Sequence, residues 1–184
     1  MPEKSIMIQA DSQAVKLTRP DKVLFPDAGI TKAELVDYYR RVAGWMVPHL
    51  RGRPVSMQRF PDGIEAPGFF QQAAPRFAPD WVKRVTVKKA GGEITHVVCD
   101  NEAILVYLAT QACITPHVWL SREDKLDYPD QMMFDLDPSD AEFDAVKSAA
   151  RVLRGLLAEH GLPAFVKATG SRGLHVVVPL KRTE

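Results

Sequence analysis

Gln131-Met132-Met133-Phe134-Asp135-Leu136-Asp137-Pro138 is an apolar run whose only charged members stand two residues apart. Side chains on a β-strand alternate faces with period two, so Asp135 and Asp137 share one face while Phe134 and Leu136 take the other. Two neighbouring carboxylates repel, which raises a pKa or calls for a compensating cation. Hard divalent ions such as Mg²⁺ or Mn²⁺ prefer oxygen ligands of this kind, so the pair is a candidate metal site. A solvated strand end would carry the same three letters, and the motif alone does not separate the two readings.

The second informative segment follows about thirty residues later, Lys167-Ala168-Thr169-Gly170-Ser171-Arg172-Gly173-Leu174-His175. Gly170 and Gly173 permit positive φ, so successive backbone N–H groups can converge on an anion, with the Ser171 hydroxyl and the planar Arg172 cation beside them. That pattern reads as a cradle for a triphosphate, and His175 on the following strand can donate to the same phosphates. A glycine-rich hairpin with an exposed arginine is the plainer alternative for the turn taken alone. Metal-binding carboxylates and an anion cradle on neighbouring strands favour the functional reading of both.

These two segments resemble the first two catalytic motifs of the archaeo-eukaryotic primase superfamily, and more narrowly the polymerase domain of bacterial DNA ligase D, a repair protein of non-homologous end joining. The resemblance extends through Leu17-Thr18-Arg19-Pro20-Asp21-Lys22-Val23-Leu24-Phe25-Pro26, Gly29-Ile30-Thr31-Lys32-Ala33-Glu34-Leu35, Pro48-His49-Leu50-Arg51-Gly52-Arg53-Pro54 and Phe69-Phe70-Gln71. It implies an α/β (α+β) primase-like fold, with a mixed or antiparallel catalytic sheet flanked by helices. It also implies a template-directed nucleotidyltransferase that extends or fills DNA ends and gaps in double-strand break repair. By the same resemblance Asp135 and Asp137 are the catalytic pair, binding two metal ions, Mn²⁺ or Mg²⁺. His117, Thr169, Ser171, Arg172 and His175 match nucleotide-binding positions, and Lys22 and Lys32 match two lysines that grip a downstream 5′-phosphate. Phe69 and Phe70 are placed to stack on bases, and Arg59 lies close to template or nucleotide.

The resemblance further implies nucleoside triphosphates as substrates, with ribonucleotides preferred, and DNA ends with a 5′-phosphate, Ku and ligase components as partners. Three positions depart from the family pattern. Arg19 stands where a polar residue such as Asn is usual, Gln72 where Lys is frequent, and Thr169 where Ser is frequent. The family's third metal-binding Asp is expected some tens of residues beyond the second motif, so residues 1–184 are expected to form one C-terminally incomplete primase-polymerase domain. Within it, 1–125 is expected to bind DNA ends and 126–184 to begin the catalytic sheet. A DNA-end-binding module without turnover is the alternative function. No K-x-D-G nucleophile motif occurs, so ligase chemistry is not expected of these residues.

Physical arguments support single lysines only weakly. A terminal phosphate monoester carries more charge than an internal diester, so two ammonium groups at one spot can select an end. Lys32 stands in the first turn of a helix, where the dipole disfavours a cation, and that misplacement points to function. Two adjacent phenylalanines flanked by Pro67-Gly68 and Gln71-Gln72 can each stack on a base for roughly 1–3 kcal/mol, although a core role for one ring is equally compatible.

Composition agrees with a single globular unit: 184 residues, 46% of them hydrophobic, against a prior of roughly 150 residues per domain. The net charge of +1 conceals an uneven distribution. Residues 1–100 carry 15 basic against 11 acidic side chains, 101–144 carry 2 against 10, and 145–184 carry 7 against 2. Acid thus concentrates around the proposed metal site and basic residues flank it, an arrangement suited to delivering phosphates to carboxylate-held cations. Only Cys99 and Cys113 are present, no C-x-x-C occurs, and Asp11 cuts short the apolar N-terminal stretch, so a reducing cytoplasm is expected, to which the resemblance adds nucleoid association during repair. The run Ala103–Ala109 is too short to cross a bilayer, which takes about 20 residues.

Periodicity predicts an α/β order. Thr31-Lys32-Ala33-Glu34 is a capping box, and Leu35, Tyr38, Tyr39, Val42 and Met46 continue a helix to Pro48. A strand is expected over 55–60, a hairpin over 81–89 and 93–99 with its turn at Gly91-Gly92, and a helix capped by Asp100 reaching about Cys113. A short strand is expected over 116–120. A third helix through Phe143, Val146, Ala150, Leu153 and Leu157 should end at Gly161, followed by strands over 165–168 and 174–180. That helix is expected to cover one face of the sheet and to leave Asp135, Asp137 and His175 on the other.

Overall fold

The structure, a computed structural model, describes residues 4–138 and 143–182, and the chain divides into two units, Met1–Trp119 and Leu120–Glu184. Asp140 and Glu142 of the acidic stretch lie outside the described residues.

In the first unit the capping box forms as expected. The Thr31 hydroxyl accepts the Glu34 N–H while the Glu34 carboxylate accepts the Thr31 N–H at 2.7 Å, starting helix α1 (Lys32–Leu50). The helix does not stop at Pro48 but runs on to Leu50. Helix α2 (Glu102–Thr110) is capped by Asn101, not Asp100: the Asn101 side-chain oxygen accepts the Ile104 N–H at 2.9 Å. Asp100 instead accepts the Gly52 N–H at 2.7 Å and pairs with Lys83 at 2.5 Å. Residues Ala103 to Thr110 are all buried, because α2 lies in the core beside α1 and the N-terminal hairpin. Each fully buried Leu or Ile there contributes about 1.5–3 kcal/mol.

Around these helices are the strands β1 (Ser5–Ala10) and β2 (Gln13–Thr18), an antiparallel hairpin the sequence reading did not anticipate. Its alternation is nonetheless present, since Val15 and Leu17 are buried while Lys16 points outward. Short strands β3 (Val23–Phe25) and β4 (Ile30–Thr31) lead into α1. A five-stranded sheet follows, made of β5 (Pro54–Arg59), β6 (Phe69–Gln71), β7 (Arg84–Lys89), β8 (Gly92–Val98) and β9 (Cys113–Val118). Strand β5 is its hub and pairs antiparallel with β6, β8 and β9. Cys113 therefore opens a strand and is not the end of a helix.

The second unit is a β-α-β-β arrangement. Strand β10 (Gln131–Leu136), helix α3 (Phe143–Glu159), β11 (Phe165–Ala168) and β12 (Leu174–Pro179) form an antiparallel sheet of order β10-β12-β11 beside one helix. Met132, Phe134 and Leu136 pack with Val176, Val178 and Leu157, so α3 covers that sheet face. Asp135 and Asp137 are exposed, in the alternation the motif predicts. Gly161 ends α3 at φ +69°, the left-handed position that favours glycine.

Candidate functional site

In the second unit, antiparallel register sets Asp135 directly opposite His175, and His175 Nε2 stands 3.2 Å from Asp135 Oδ1. His175 Nδ1 is buried without a hydrogen-bond partner among the described residues. Asp137, one residue past the end of β10, packs on the glycine-rich turn: a Cβ at Gly173 would overlap the Asp137 carboxylate and the Leu136 carbonyl oxygen. The two sequence segments thus meet, and the glycines of the turn have different duties. Gly170 takes φ +82° in open space, whereas Gly173 is needed for close approach and not for a positive φ, contrary to the expectation for it.

The N–H groups of the turn do converge, on the Thr169 hydroxyl. Its oxygen accepts from Ser171 N–H at 3.3 Å and from Gly173 N–H at 3.2 Å, and it donates to the Gly173 carbonyl at 3.1 Å. Thr169 therefore organises the turn, while the side chains of Ser171 and Arg172 are exposed. Two exposed carboxylates on one side of a sheet fit a hard divalent cation, which commonly takes one or two carboxylates and completes its shell with water and substrate phosphate. No cluster of three or more His, Cys, Asp or Glu side chains suited to a metal occurs among the described residues.

The other named residues belong to the first unit. Lys22, Lys32 and Arg59 line one cavity of about 420 Å³, together with Lys16 and Arg19, between β2 and the C-terminal end of α2. Lys32 is only 6% exposed, and its ammonium group donates to the Thr18 carbonyl at 3.0 Å, so it is held rigidly despite its place in the first turn of α1. Lys22 pairs with Asp62 at 2.5 Å, and the hydrogen bond and charge of Lys22, with Arg19 nearby, hold the Asp62 carboxyl below its ordinary value. Arg19 adopts φ +49°, which costs a side chain of its size about 1 kcal/mol or more. Sequence reasoning did not single out Lys16. The strand alternation of Val15-Lys16-Leu17 was the available signal.

Phe69 and Phe70 lie on the short strand β6, both exposed, so neither ring is a core residue. Alternation sends them to opposite faces. The Arg59 guanidinium stands 5.4 Å from the Phe69 ring centre, while the Phe70 ring lies 5.1 Å from that of His117. Arg59 also donates to the Gln111 carbonyl at 2.7 Å and to Gln71 Oε1 at 2.6 Å, and burial pulls its pKa down. His117, on β9, is exposed and has Nε2 3.2 Å from Gln58 Oε1. Arg59 thereby both lines the cationic cavity and contacts the aromatic strand.

Comparison with known proteins supplies the remaining findings. A family model described as LigD, primase-polymerase domain, matches residues 31–184. The multifunctional non-homologous end joining DNA repair protein LigD of Mycobacterium tuberculosis is 38% identical over 183 residues, covering 95% of this chain and 24% of that protein. The bifunctional non-homologous end joining protein LigD of Bacillus subtilis is 30% identical over 167 residues, covering 90% and 26% respectively. The solved polymerase domain of M. tuberculosis ligase D in complex with DNA matches with a TM-score of 0.85 at 37% identity, over 91% of this chain and 61% of that one. The chain therefore spans about a quarter of the length of these curated relatives.

Proposed function

The chain belongs to the LigD primase-polymerase domain family, and from that premise we propose that it contributes template-directed nucleotide addition at DNA ends or gaps during non-homologous end joining. The observation that carries the proposal is the meeting of the acidic pair with the glycine-rich turn: Asp135 3.2 Å from His175, and Asp137 seated on Gly173. Asp135 and Asp137 would hold Mg²⁺ or Mn²⁺, one ion or two, and such ions neutralise a triphosphate and acidify a primer 3′-hydroxyl when bound. Ser171 and Arg172 present a hydroxyl and a fork of N–H donors to phosphate oxygens. Thr169 fixes the turn that carries them, and His175 orients the Asp135 carboxylate. In the first unit Lys22 and Lys32 receive the 5′-phosphate of the downstream strand, and Phe69 and Phe70 offer faces for bases.

Ribonucleoside triphosphates as preferred substrates, Ku and ligase components as partners, and action in the cytoplasm at the nucleoid complete this reading. The relatives are bacterial proteins of end joining, and among the described residues no helix is long and apolar enough to cross a membrane.

The test is primer extension on a gapped duplex with a downstream 5′-phosphate, labelled nucleotide and Mn²⁺. Incorporation that Asp135→Ala abolishes is expected. A second reading is favoured by the cationic cavity, which is assembled entirely within the first unit: the chain holds 5′-phosphorylated ends without turnover. Duplex binding that persists while wild-type protein incorporates nothing would select that reading.

A further inference from the structure

The cavity of the first unit is larger and differently lined than a clamp for one phosphate requires. Its 420 Å³ lies in the range of about 300–1,000 Å³ typical of small-molecule sites. A terminal phosphate brings about two negative charges, whereas Lys16, Arg19, Lys22, Lys32 and Arg59 all border the space. Phe77 and Trp81 add aromatic surface to the lining. Phe77 is 73% exposed, which leaves its face open for stacking.

Tyr107 supplies an independent observation. It is only 4% exposed and lines the same cavity, with its ring edge-on to Trp81 at 6.0 Å. Its hydroxyl is buried without a hydrogen-bond partner among the described residues. An unpaired buried hydroxyl destabilises the folded chain, and phenylalanine would fill the same space without that cost. A polar group at such a place calls for a partner, and the cavity that Tyr107 lines is a place from which one can come.

We propose, resting on the assignment of Lys22 and Lys32 to the 5′-phosphate, that this cavity takes up the whole 5′-terminal nucleotide in an unpaired state. The phosphate meets the lysines, the Tyr107 hydroxyl donates to an oxygen of the same nucleotide, and Phe77 and Trp81 receive the sugar and base. Withdrawing a base from its pair costs least at a strand end, where stacking is one-sided and a mismatch or gap has already loosened it. The cavity therefore selects frayed or mismatched 5′-phosphorylated ends over perfectly paired ones.

The experiment measures displacement of a fluorescent gapped duplex bearing a 5′-phosphate by thymidine 5′-monophosphate and by inorganic phosphate, for wild type and Tyr107→Phe, with thermal unfolding of both. Thymidine 5′-monophosphate is expected to compete at least about tenfold more strongly than phosphate. In Tyr107→Phe that advantage should shrink several-fold while the unfolding midpoint stays equal or rises, a combination that a merely structural tyrosine would not give. Equal competition by the two anions, or an advantage that Tyr107→Phe leaves intact, overturns the proposal. If the wild type does not distinguish a 5′-phosphorylated from a 5′-hydroxyl duplex, the assignment of the lysines itself falls, a result separate from either of those.

Discussion

At the scale of the residue, the two glycines of the turn separate conformational need from spatial need. Gly173→Ala would force a methyl group into the Asp137 carboxylate and the Leu136 carbonyl, and overpacking of this kind costs about 1–3 kcal/mol. It should move Asp137 and remove nucleotide incorporation while far-ultraviolet circular dichroism remains that of the wild type. Gly170→Ala meets open space and only the penalty of φ +82°, about 1 kcal/mol, so it should lower the urea midpoint slightly and retain most incorporation. Lys22 and Lys32 differ in the same way. Lys22→Ala should reduce the affinity for 5′-phosphorylated over 5′-hydroxyl duplex. Lys32 is buried and bonded to the Thr18 carbonyl, so Lys32→Met, which keeps the stem packed, is the cleaner partner variant. Discrimination unchanged in the pair of substitutions would remove both lysines from the phosphate site. The residue types were legible in sequence, but that the Tyr107 hydroxyl has no hydrogen-bond partner among the described residues was not, because inside Ala103–Ala109 a tyrosine reads as one more core ring.

At the scale of the element, local sequence rules held where the signal was local. The box of Thr31 and Glu34 forms in both directions, and the hydrogen bonds hold the Glu34 carboxyl below its ordinary value. Thr31→Ala should cost about 1 kcal/mol, read as a lower unfolding midpoint with unchanged phosphate-end binding. The same logic misassigned the start of α2. Asp100 and Asn101 are both good caps, and the choice went to Asn101 because Asp100 is engaged by Gly52 and Lys83 from elsewhere in the chain. The β1–β2 hairpin escaped notice because its turn, Asp11-Ser12, lacks glycine. Asp11 takes φ +46° itself and its carboxylate accepts the Ala103 N–H at 3.1 Å, a tertiary compensation that no window of sequence displays.

At the scale of the whole molecule, His96 gives a pH dependence. It is buried in the sheet, edge-on to Trp119 at 5.4 Å, and desolvation lowers its pKa below the ordinary histidine value, partly offset by the Val55 carbonyl. The unfolded chain therefore binds the proton more readily, so stability should fall as pH drops below about 6.5 and level off only under the folded pKa. Urea midpoints from pH 8 to pH 5 should show that slope, and His96→Gln should flatten it. By itself the sequence determined the family, the alternation that turns Asp135 and Asp137 to one face, and the helix that covers the other, because each follows from motif identity or from a period of two or 3.6 residues. Only the tertiary structure decided that Lys16, Arg19, Lys22, Lys32 and Arg59 share one cavity with Tyr107, whose hydroxyl has no hydrogen-bond partner among the described residues. That is a meeting of β2, α1, β5 and α2, segments distant along the chain, and what brings them together is the burial of apolar surface around α2, which no local pattern encodes.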